Sequence, residues 1–154
     1  MAKRLALVLA SWFFCGYFPG APGTAGSVCA WALAGLLVHA YGVPTWVVSL
    51  AAAALAPLAV WATETASSLS DSNDPPWVVI DEVVGQWIAL APASRGSLVE
   101  WVAALALFRA FDIGKPLGIR RLESFPGGWG VVADDVAAGA CAMIGVLLIR
   151  WIGT

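Results

Sequence analysis

Five carboxylates stand in three short groups: Asp81 with Glu82, Asp112 alone, and Asp134 with Asp135. They are half of the ten acidic residues in the chain. Each pair reads as the opening of a helix, a place where the helix dipole favours negative side chains. Capping alone would account for either pair. Brought together, five carboxylates repel one another unless a cation lies among them. The chain has one histidine, His39, and three cysteines (Cys15, Cys29 and Cys141), none of them in a C-x-x-C pair. Zinc ligation and a disulfide are therefore not expected, whereas ligation by oxygen alone suits Mg²⁺.

Arg109, Asp112 and Lys115 are spaced i, i+3, i+6 and share one helix face up to Pro116, which predicts that the helix ends at Lys115. An Arg109–Asp112 salt bridge with a snorkelling Lys115 is one reading. A phosphate clamp is the other, with arginine as a planar fork and lysine as a point charge. Pro22-Gly23-Thr24-Ala25-Gly26-Ser27 precedes an apolar helix, for which Ser27 is a fair N-cap. Free backbone amides at such a start bind anions, and glycines let a phosphate approach. No lysine follows the last glycine, so this is not a P-loop. Gly127-Gly128-Trp129-Gly130 is a second glycine loop, or a mere turn. Gly85 and Gly139 each fall four residues after an acid, and would admit either a ligand or another helix backbone.

The elements that carry these groups are apolar. The chain has 154 residues, 60% of them hydrophobic and 12% charged, with net charge −2 and mean hydropathy +0.84. A soluble domain carries about 25% charged residues, so an integral membrane protein is expected. Disorder and nucleic-acid binding are excluded on the same grounds. The runs lack the period-2 alternation of a membrane β-barrel. The expected fold is all-α: a single domain over 1–154, forming a compact helical integral membrane bundle. About four to five membrane helices are expected, at 27–43, 45–63, 83–93, 98–111 and 131–152, with 83–93 and 98–111 short for a span. The 14-residue run Leu5–Phe18 after Lys3 and Arg4 resembles a signal peptide. It ends in a Gly/Pro cluster rather than a clear cleavage site, so a retained short interfacial helix is expected.

Placing the loops at 64–82 and 112–130 inside satisfies the positive-inside bias. It puts Trp46, Trp101 and Trp151 at the outer interface and Trp61, Trp77 and Trp129 at the inner one. All the polar clusters then fall on one membrane face.

Four stretches in this order resemble the phosphatidylglycerophosphatase A family. They are P-G-T-A-G-S at 22–27, V-V-I-D-E-V-V-G-Q-W-I at 78–88, F-R-A-F-D-I-G-K-P at 108–116 and G-G-W-G-V-V-A-D-D-V-A-A-G at 127–139. The resemblance covers roughly residues 14–140. It implies a Mg²⁺-dependent enzyme of the bacterial inner membrane that hydrolyses phosphatidylglycerophosphate to phosphatidylglycerol and phosphate. The family's acids carry over to Asp81, Glu82, Asp112, Asp134 and Asp135 as catalytic groups. Its bases carry over to Arg109 and Lys115, and its hydroxyls to Thr24 and Ser27. The sequence departs from many members at Phe14, where they have glycine, and at Gly118, where they have a second proline.

The expected chemistry is metal-assisted hydrolysis of a phosphomonoester. Asp81, Glu82, Asp134 and Asp135 are the expected metal ligands, and Thr24, Gly26, Ser27, Arg109 and Lys115 the expected phosphate-binding set. One carboxylate serves as general base, or an aspartyl-phosphate forms. The active site is expected at the cytoplasmic face, with membrane lipids as surroundings and no nucleic acid or obligate protein partner. Action on another membrane lipid phosphate, and a non-enzymatic protein or transporter, are the alternatives. A transporter would carry charges near mid-span, and Ser27–Thr63 has none.

Overall fold

Pro22 presets the backbone for a first helical turn and lacks the amide hydrogen that would go unpaired there. It starts a helix, here α2, that runs Pro22–Tyr41 and stops at Gly42 in the left-handed conformation (φ 72°). Val43 and Pro44 complete the turn, and α3 follows over Thr45–Ser67, with Pro57 inside it. The computed structural model describes residues 1–70, 72, 74–116 and 118–153. Among them every regular element is helical, as an all-α fold requires. Before α2 come α1 (Ala2–Ala10) and a 3₁₀ turn at Cys15–Tyr17. After α3 come α4 (Ile80–Ala89), α5 (Leu98–Gly114), a 3₁₀ segment (Ile119–Ser124) and α6 (Gly128–Ile152).

Three helices, α2, α3 and α6, are long and apolar enough to cross a membrane. Their outward side chains include Leu36, Leu50, Leu58, Ile144, Leu147 and Leu148, an apolar surface suited to lipid and costly in water. The count is lower than the four to five expected from the sequence. At 1.5 Å per residue α4 reaches only about 15 Å and α5 about 25 Å, against a hydrocarbon core of about 30 Å. Instead α4 is wrapped by its neighbours. It packs against α2, α3, α5 and α6, and eight of its ten residues are buried. Ile80, Val83, Val84, Trp87 and Ala89 are all buried, so this short helix sits inside the bundle.

Small residues set the spacing. Ala6, Ala10, Ala30, Ala34, Ala52, Ala59, Ala138 and Ala142 are fully buried, as expected where helices approach closely in lipid. Indole N–H groups tie the helices together: Trp87 donates to the Ala30 carbonyl (2.9 Å) and Trp31 to the Trp101 carbonyl (2.9 Å). Trp101 itself is buried and donates to the Ser94 carbonyl, so it is a core residue and not part of an outer aromatic belt. Trp46, Trp61, Trp129 and Trp151 remain exposed.

The N-terminal segment braces the entry to α4. Trp12, Phe13 and Phe14 all have positive φ (45°, 53° and 73°). This left-handed turn reverses the chain after α1 at a steric cost for side chains with a Cβ. Gly16 then lies against the Trp77 carbonyl, with no room for a Cβ, and the Val79 amide donates to the Ala10 carbonyl (2.8 Å). These contacts fix the residues just before Asp81.

Candidate active site

The acids reach one place from three helices. Asp81 and Glu82 occupy the first turn of α4, as expected. Asp112 lies in the last turn of α5. Asp134 and Asp135 do not open a helix, because α6 begins six residues earlier at Gly128. They sit in its second turn, about 10 Å along the axis. Direct contact between helix backbones aligns the two pairs. A Cβ on Gly139 would collide with the backbone of Gly85, and a Cβ on Gly85 would lie 2.6 Å from the Asp135 carbonyl oxygen. Of the two uses open to these glycines, the structure takes the helix crossing.

Oxygen atoms of Asp81, Glu82 and Asp135 lie within 4.8 Å of one another, and so do those of Asp112, Asp134 and Asp135. Asp81, Asp134 and Asp135 are 6%, 5% and 3% exposed. One oxygen each of Asp81, Glu82 and Asp135 is buried without a hydrogen-bond partner. A buried, unpaired carboxylate oxygen is costly, so this donor set fits a hard cation such as Mg²⁺.

The basic residues already have partners. Arg109 pairs with Asp112 (2.6 Å), which is the salt-bridge reading of that spacing, and its Nη1 contacts the Ser27 hydroxyl (3.4 Å). Lys115 is the C-cap of α5, as Pro116 predicts, with φ 43°. A lysine in a conformation that favours glycine is a strained choice. Its ammonium pairs with Asp134 and with Glu123 (2.5 Å). Partial burial pulls the Lys115 pKa down, but hydrogen bonds and charge from Asp134 and Glu123 outweigh it, and the pKa is raised.

The five acids, Lys115 and Glu123 line a pocket of about 700 Å³ together with Glu64, Ser67, Asp74, Pro76, Val78, Phe125, Pro126, Gly127 and Val131. All five predicted acids and Lys115 are on its wall, whereas Thr24, Gly26, Ser27 and Arg109 are not. For the three residues of α2 the reason is the early start of that helix, and Arg109 is drawn to Asp112. Ser27 is inside the helix, donating to the Gly23 carbonyl (2.9 Å), and the cap position is Ala21. The Ala25 amide already bonds the Ala21 carbonyl, so Gly26 and Ser27 lie beyond the free amides of the first turn. Gly26 packs on Val79, and Thr24 is exposed. The residue of this motif that meets the acids is Gly23. A Cβ there would collide with Glu82 and lie 3.3 Å from Arg109 Nη2.

A model of the phosphatidylglycerophosphatase A family matches residues 8–150. The chain belongs to that family. Like the relatives that carry the name, it is a phosphatase. A phosphatidylglycerophosphatase A of Haemophilus influenzae is 35% identical over 155 aligned residues, covering 97% of this chain and 94% of that protein. One of Escherichia coli is 32% identical over 137 residues, covering 86% and 76%. A Bacteroides thetaiotaomicron protein, provisionally named a phosphatidylinositol-3-phosphatase, is 37% identical over 153 residues, covering 96% and 95%. No solved structure matches the chain significantly.

Sequence reasoning passed over four polar pocket residues of this phosphatase: Glu64, Ser67, Asp74 and Glu123. The first carried a usable signal, being the only charged residue in α3. Gly127 holds it close: its φ of 61° and ψ of −146° suit glycine alone, and a Cβ there would lie 2.8 Å from Glu64 Oε1. The second glycine loop is thus pressed against the end of α3.

Proposed function

We propose that this phosphatase hydrolyses phosphatidylglycerophosphate to phosphatidylglycerol and inorganic phosphate with Mg²⁺, at the cytoplasmic face of a bacterial inner membrane. The observation that carries the reading is the pocket itself. Eight carboxylates, the five predicted acids with Glu64, Asp74 and Glu123, and a lysine face it at one end of a lipid-exposed bundle, and three buried carboxylate oxygens lack partners. Asp81, Glu82, Asp134 and Asp135 would hold the cation. When bound, Mg²⁺ supplies charge neutralisation at the phosphate and activation of water. Lys115 turns from its carboxylate partners to a phosphate oxygen and stabilises the charge that develops there. Arg109, tied to Asp112 and set back from the pocket wall, is a positioning residue. A pocket carboxylate takes the proton of the attacking water. Phe125, Pro126 and Val131 give the mouth an apolar side, on which the glycerol backbone of a lipid would rest.

The name of the 37%-identical relative favours a second substrate, a phosphoinositide carrying a 3-phosphate, for the same chemistry. Phosphate release by purified protein in mixed micelles tests both. Release from phosphatidylglycerophosphate that stops on chelation and returns with Mg²⁺ supports the first reading. Release from phosphatidylinositol 3-phosphate alone transfers it to the second. Chelator-resistant release refutes the Mg²⁺ requirement.

A further inference from the structure

We propose that the pocket has two cation positions of unequal affinity, joined by Asp135. The inference rests on the metal reading above and extends it. Asp135 is the one residue common to the two oxygen clusters, Asp81–Glu82–Asp135 and Asp112–Asp134–Asp135. A carboxylate has two oxygens and about four lone-pair sites, enough to serve both. Asp135 is 3% exposed, and its Oδ1 has no hydrogen-bond partner.

The clusters differ in how their charge is met. In the first, Asp81 Oδ1, Glu82 Oε2 and Asp135 Oδ1 are all buried and unpartnered, and among the described residues no ion pair reaches any of the three. In the second, Arg109 already neutralises Asp112 and Lys115 already neutralises Asp134. A cation entering the first cluster meets uncompensated negative charge. A cation entering the second must displace or share with two side-chain cations. The first position is therefore tight and the second weak, and Asp112, absent from the expected ligand set, is a ligand of the weak one. Filling the weak position also loosens Lys115 from Asp134, which frees its ammonium for an anion.

Titration of the full-length protein in detergent with Mn²⁺, followed by electron paramagnetic resonance, tests this without any turnover. Two ions per chain are expected, their affinities differing about tenfold or more, since affinity follows ligand charge. The spectrum should become spin-coupled as the second ion fills. Glu82→Gln should weaken the tight position, and Asp112→Asn only the weak one. One ion per chain without coupling overturns the two-position proposal while leaving the metal reading standing. No bound ion overturns both. Equal affinities, or loss of the tight position in Asp112→Asn, overturn the assignment of the positions. The stoichiometry and coupling of the unmutated protein decide the main point even if a variant fails to fold.

Discussion

Gly85 and Gly139 touch backbone to backbone, leaving no space for a Cβ on Gly139. That contact sets how α4 crosses α6, and it lies one turn from Asp81 on one helix and from Asp135 on the other. The acidic site is thus built on a direct backbone contact between two helices. Gly139→Ala should force the helices apart, costing about 1–3 kcal/mol as overpacking does and shifting the two acid pairs relative to each other. Thermal denaturation in detergent and phosphate release should both fall. Gly145→Ala is the control. Its added Cβ meets the end of the Leu107 side chain, which can move, so stability should change by less than about 1 kcal/mol.

Asp81→Asn and Asp134→Asn each keep size and remove charge. Both should lower turnover by on the order of 100-fold or more, since even outer-shell changes at metal sites cost about 10- to 100-fold. The protein should remain membrane-inserted, because neither substitution removes apolar surface from the long helices and Lys115 keeps Glu123 as a partner when Asp134 loses its charge. Membrane fractionation and the phosphate assay on the same preparation check the two halves. Near-normal activity in both variants would remove these residues from the site.

The acids, the lysine and the end of α5 were readable in the sequence because each depends on local chemistry. Helix spacing placed Arg109, Asp112 and Lys115 on one face, and Pro116 marked the stop. The start of α2 is less legible, because Ser27 is a good cap by type, whereas the structure starts the helix at Pro22 and leaves the serine inside it. Asp134 and Asp135 read as a helix start for a similar reason. Gly127 and Gly128 look like loop residues, yet Gly128 is the first residue of α6. Glu64 stands out as the only charged residue of α3, but Glu123 could not be assigned, since only tertiary packing brings the 3₁₀ segment to the pocket. Nor could the number of spans be fixed. Whether an apolar ten-residue helix faces lipid or protein depends on its neighbours, and periodicity does not distinguish the two.

Phe14 offers a test of the N-terminal brace. Its φ of 73° lies where glycine is at ease. The ring is 64% exposed and stacks only loosely on Tyr17, at 6.3 Å between centroids. Phe14→Gly should therefore stabilise the protein by about 1 kcal/mol, the usual cost of a left-handed non-glycine residue. A higher midpoint of thermal denaturation in detergent is expected. A lower one would mean that the aromatic contact outweighs the strain.

Lys115 yields a prediction with a defined pH window. Its pKa is raised in the folded protein, so the stability from its pairing is fully present below the ordinary lysine value of about 10.4 and is lost only as pH climbs through the raised value. The ammonium therefore stays charged from pH 6 to 9. Lys115→Met should reduce kcat/KM for the lipid monoester by about 10- to 100-fold, the worth of a charge-assisted hydrogen bond of 1.5–3 kcal/mol. The factor should be the same at every pH in that window. Steady-state kinetics at five or six pH values would check it. If the variant instead abolished an alkaline fall in activity, Lys115 would be losing its proton within the window, and its pairing with Asp134 and Glu123 could not be the resting arrangement.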